Sequence, residues 1–138
     1  MREIKFRGKC LDNGEWIEGD LLRMNGHWFI FPDPAPKGID KYEVDPATVG
    51  EFTGLKDKNG TDVWEGDIIR FSNPYLIISQ GKQSFGMVKY YDALAGFALY
   101  NSSEDKFPME CDWLKIDGST KVFGNIHDNP ELLKGGEQ

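Results

Sequence analysis

The chain has 138 residues, 39% hydrophobic and 13% aromatic, which is enough for one compact domain with a real core. Twenty-three acidic against 16 basic residues give a net charge of −7, which disfavours broad, nonspecific binding to nucleic-acid phosphates. No apolar run is long enough to span a membrane, no signal stretch follows Met1, and Cys10 and Cys111 read as reduced thiols, so the expected location is cytoplasmic.

From the N-terminus, Ile4, Phe6 and Cys10 alternate with Glu3, Lys5, Arg7 and Lys9, the period of a half-buried strand. Asn13-Gly14 is a hairpin signal, because this pair accepts the positive φ of primed turns. Trp16 to Met24 reads as the return strand, interrupted at Gly19. Asn25-Gly26 is a second turn of the same kind, and His27 to Phe31 is a third strand. Pro32, Pro34 and Pro36 then remove ladder donors and fix φ, making 32–40 a stiff extended loop and a candidate lobe boundary.

Val49 to Leu55 is a strand, 56–60 a turn ending in Asn59-Gly60, and Thr61 to Phe71 one return strand, with Gly54 and Gly66 marking bulges or close backbone contacts. Strands follow at 75–79, 85–91 and 97–100, with a polar loop over 101–110. Trp113 to Ile116 and Lys121 to Ile126 flank a turn at Asp117-Gly118. Asn129-Pro130-Glu131 opens a helical turn, with Asn129 as N-cap.

About ten short strands between turn signals, with no 3.6-residue periodicity, predict an all-β, β-rich fold. The expected form is a small barrel- or sandwich-like body with one short C-terminal helical turn. It is expected as a single compact domain over 1–138, with an N-terminal hairpin lobe (1–44) and a C-terminal lobe (45–138) as its finer division.

Glu18-Gly19-Asp20-Leu21-Leu22-Arg23 returns as Glu65-Gly66-Asp67-Ile68-Ile69-Arg70, each copy after a tryptophan (Trp16, Trp64) and an Asn-Gly turn. Paired carboxylates can hold a metal or share a proton, but no calcium-loop spacing is present. Gly19, Asp20, Gly60, Gly66 and Asp67 are therefore read as turn or bulge residues, the aspartates bonding nearby backbone N–H groups. Cys10, His27, Cys111 and His127 have the count of a zinc site without its spacing, and no metal or other cofactor is assigned. Cys111 lies between Glu110 and Asp112, which disfavour a thiolate, and no Gly-x-Ser-x-Gly or phosphate-binding glycine motif occurs, so no catalytic residue is assigned. Basic and aromatic residues interleave at Arg2, Lys5, Phe6, Arg7 and at Lys89, Tyr90, Tyr91. That pattern suits a solvated strand face, with a single-strand nucleic-acid platform as the alternative.

The opening Met1-Arg2-Glu3-Ile4-Lys5-Phe6-Arg7 resembles the start of the YopX-like proteins of phages and prophages. So does the run from Val44 to Gly60, continuing through Val63-Trp64-Glu65-Gly66-Asp67-Ile68-Ile69, and the close from Val122 to Leu133. The resemblance implies a β-rich, self-associating phage protein in the bacterial host cytoplasm and brings no catalytic residues with it.

The expected function is that of an accessory protein that binds a host or phage protein, or a second copy of itself, without catalysis. The surfaces expected to carry it are the charged face of the first strand (Lys5, Arg7, Lys9) and the loop with Trp28, Pro32, Pro34 and Pro36. A nucleic-acid-binding module in phage replication or regulation is the alternative. A metal-dependent hydrolase using Asp20, Asp67, His27 or His127 is a second alternative.

Overall fold

The computed structural model describes residues 2–32, 39–71, 84–101, 105–108, 114–116 and 120–135. The expected strand at 75–79, the turn at 117–118, Pro34, Pro36 and Cys111 lie outside them. Ten strands occur among the described residues: β1 (Phe6–Lys9), β2 (Trp16–Met24), β3 (His27–Phe31), β4 (Glu43–Val44), β5 (Gly50–Lys56), β6 (Asp62–Trp64), β7 (Asp67–Phe71), β8 (Ser84–Tyr91), β9 (Gly96–Tyr100) and β10 (Lys121–Asn125). One short helix, α1 (Glu131–Gly135), follows. The fold is all-β, in two antiparallel sheets ordered β4-β3-β2-β1-β5-β6 and β10-β7-β8-β9, and neither closes into a barrel.

The chain divides after Gly54 into two compact units. The tie that holds residues 45–54 with the N-terminal strands is visible in the hydrogen bonds. Asp45 N–H donates to the Lys9 carbonyl, Lys9 N–H donates to the Thr48 hydroxyl, and Cys10 bridges to Val44. In the first unit β2 is shared: residues 16–19 pair with β1 and residues 20–24 with β3. Gly8 leaves room for the fully buried Ile30 and Val44, since a Cβ at Gly8 would lie 3.1 Å from Ile30 Cδ1 and 3.2 Å from Val44 Cβ.

In the second unit Val63, Ile69, Val88 and Phe97 form the core, with Leu99, Leu114, Ile116 and Val122 against it. Ile68, Met87, Ala98 and Tyr100, of opposite parity on the same strands, are buried too. The middle of this sheet is therefore buried on both faces, as the adjacent Ile68 and Ile69 show.

The expected return strand from Thr61 to Phe71 is in fact two strands. The chain turns at Glu65-Gly66, where Gly66 has φ 93°. Gly66 N–H donates to the Val88 carbonyl at 2.7 Å, and its own carbonyl accepts from Ile126 N–H at 2.9 Å. Residues 114–116 are not assigned to a strand; Leu114 N–H donates to the Phe97 carbonyl at 2.7 Å. Asn129 does not cap α1 with its side chain, which instead accepts from Asn125 N–H at 3.3 Å, while its carbonyl accepts from Leu132 N–H.

Candidate interaction surface

Alternation along β1 puts Lys5, Arg7 and Lys9 on one face, and the antiparallel register sets their company. Lys9 lies opposite Trp16 and Arg7 opposite Glu18. Phe52 N–H donates to the Lys5 carbonyl, which brings β5 alongside. The cations stack on these rings: Lys5 Nζ is 4.6 Å from the Phe52 centroid, and the Arg7 guanidinium is 4.6 Å and Lys9 Nζ 5.4 Å from Trp16. Each such contact contributes about 0.5–1 kcal/mol near the surface. Carboxylates are interleaved, with Lys5 3.6 Å from Glu3 and 3.9 Å from Glu18, and Arg2 3.7 Å from Glu51.

The same parity continues along β2 to Leu22 and Met24, 41% and 46% exposed, and across to His27, Phe29 and Phe31 on β3. There Phe29 and Phe31 stack at 6.2 Å, Tyr42 meets Phe31 at 5.6 Å, and His27 Nδ1 lies 2.6 Å from a Glu43 carboxylate oxygen. Trp28 is not part of this face. It pairs with Arg23 and Val44, shares the parity of Ile30, and carries the Arg23 guanidinium 5.1 Å from its ring. Trp28 and the Lys5, Arg7 and Lys9 row therefore belong to different faces of the sheet.

The two Glu-Gly-Asp copies differ in structure. Asp20 is exposed within a continuous β2, whereas Asp67 is 2% exposed and accepts from Trp64 N–H at 2.7 Å. Gly19 passes beneath the Phe31 carbonyl, and Gly66 makes the turn already described. Asp67→Ala should cost about 1–3 kcal/mol in denaturant unfolding and Asp20→Ala less than about 0.5. Equal losses at the two sites would contradict this assignment. Asp20 and His27 belong to the first unit and Asp67 and His127 to the second. No group of three or more metal-ligating side chains occurs among the described residues. Burial raises the Cys10 thiol pKa, and Asp12 and Glu15 raise it further, which keeps the sulfur protonated.

Two turns of the second unit are polar knots that strand periodicity does not reveal. Asp57, 7% exposed, accepts from Asn59 and Thr61 N–H at 2.9 Å each with one oxygen and from Val122 N–H at 3.0 Å with the other. Gly60 closes that turn, its N–H donating to the Asp57 carbonyl. The Asn125 side-chain oxygen accepts from His127 and Asp128 N–H, and its amide donates to the Asp128 carboxylate. Gly124 lies against Asn129, whose side-chain oxygen would collide with any Cβ there.

The YopX protein family model matches residues 5–134. The chain belongs to the YopX family. Among solved structures it is similar to the crystal structure of protein EF1440 from Enterococcus faecalis, with a TM-score of 0.58 and 24% identity over 96% of this chain and 99% of that one. At that identity the likeness shows a shared fold. No curated protein matches the chain. No helix among the described residues is long and apolar enough to cross a membrane.

Proposed function

We propose that this YopX-family chain is a phage- or prophage-encoded accessory protein of the bacterial cytoplasm that acts by binding, not catalysis. Its partner is a host or phage protein, or a second copy of itself. The observation that carries the reading is the β1–β2 face: Lys5, Arg7 and Lys9 stack on Trp16 and Phe52, with Glu3 and Glu18 among them and exposed Leu22 and Met24 farther along. Aromatic, Arg and Met side chains with balanced charge are the composition of protein interfaces, while a phosphate track needs cations without interleaved acids.

Salt discriminates the partner classes. A complex through this face should keep its affinity within a few-fold between about 50 and about 200 mM salt, where binding through many phosphates loses orders of magnitude. A steep salt slope, abolished by Lys5→Glu with Arg7→Glu, would establish the nucleic-acid module instead.

A further inference from the structure

In the second unit two cations lie side by side without an ion pair among the described residues. Arg70 on β7 and Lys121 on β10 are direct cross-strand partners, each 5.0 Å from the Phe123 ring. Phe123 is the extra residue where the β10 register shifts between Val122 and Gly124. It is 36% exposed and meets Phe85, the residue opposite Arg70, edge-on at 5.6 Å. Among the described residues neither Arg70 nor Lys121 makes an ion pair. The Asp57 carboxylate feels the Lys121 charge, but both its oxygens are already taken by backbone N–H groups.

Like charges set directly opposite on a sheet are destabilising, so this arrangement costs the free protein stability. The first unit shows the contrast, where Arg2 and Lys5 each have an acid in reach. A carboxylate placed between Arg70 and Lys121 would reverse the repulsion and gain charge-assisted hydrogen bonds. We infer that Arg70, Lys121 and Phe123 form a subsite for an acidic peptide segment of a partner protein, with the carboxylate between the cations and an adjacent apolar group on Phe123. Two cations match one carboxylate. A nucleic-acid strand draws its affinity from a longer row of cations than these two. The inference rests on the reading that the chain works by binding.

The test is fluorescence anisotropy of the full chain with a labelled, end-blocked Gly-Glu-Phe-Glu-Gly peptide, and with labelled decathymidylate for comparison. The peptide should bind saturably, at least about tenfold more weakly to Arg70→Gln with Lys121→Gln, and equally well to Lys41→Gln. Arg70→Gln alone removes the repulsion together with the stacking on Phe123, so its melting temperature should stay close to the wild-type value. A lowered melting temperature would make Arg70 a structural residue and overturn the proposal. So would failure of the wild type to bind the peptide, equal binding by the double variant, or tighter binding of the oligonucleotide. A native protein partner held equally by wild type and double variant would overturn this site and leave the binding function standing.

Discussion

Replacing Asp57 by alanine should destabilise the second unit by about 3–5 kcal/mol, because three backbone N–H groups lose a charged acceptor at once. Asn59 and Thr61 belong to the turn itself, but Val122 is 65 residues away on β10, so the carboxylate fastens that strand to the β5–β6 turn. Asp57→Asn keeps the shape but offers a single acceptor oxygen, and should recover part of the loss. Burial, the largest single influence on this carboxyl, pushes its pKa up, but the N–H bonds from Val122, Thr61 and Asn59, helped by Lys121, outweigh it and leave the pKa below the ordinary 3.8. A depressed folded pKa gives stability that is fully present above the unfolded value and lost as pH falls through the folded one. The gap in unfolding free energy between wild type and Asp57→Asn should therefore narrow as pH drops below about 4. A gap that stays constant down to pH about 2 would show that the carboxylate charge contributes nothing.

Gly19→Ala should be comparably damaging to the first unit, costing about 3 kcal/mol or more. Gly19 has φ 158°, and a Cβ there would run into the Phe31 carbonyl carbon and oxygen. The obstacle is backbone, so no rotamer change relieves it, and the Asp20–Phe31 pairing that joins β2 to β3 must open. Gly14 is the control: it too has positive φ, but nothing lies within 4 Å of its missing Cβ. Gly14→Ala should cost about 1 kcal/mol, the strain of the conformation alone. Equal melting temperatures for the two variants would contradict the close approach at Gly19.

The hairpins were legible because their information is local. Asn25-Gly26 takes φ 54° and 80° in the two-residue turn its sequence predicts, and β2 and β3 end where expected. The Glu-Gly-Asp repeat was misleading for the opposite reason. Near-identical sequences run straight at Gly19 and turn at Gly66, because Gly66 is held by Val88 and Ile126, far away in the chain. The same holds for the surface. Period-two alternation placed Lys5, Arg7 and Lys9 together, but their rings, Trp16 and Phe52, came from strand register. Trp28 lies on the other face because it is one residue out of phase with that row, opposite Arg23 and Val44. The opposition of Arg70 and Lys121 depends on pairing across 51 positions, and only an assembled sheet reveals it.

The most direct test of the central claim, that the chain works by binding a protein, is affinity capture with the tagged full chain from native-cell lysate, with and without nuclease. Eluates would be read by mass spectrometry and for nucleic acid. A discrete protein, or stoichiometric untagged copies of the chain itself, should be retained after nuclease treatment and at moderate salt. Recovery of nucleic acid alone, or of proteins that all disappear on nuclease treatment, would contradict it.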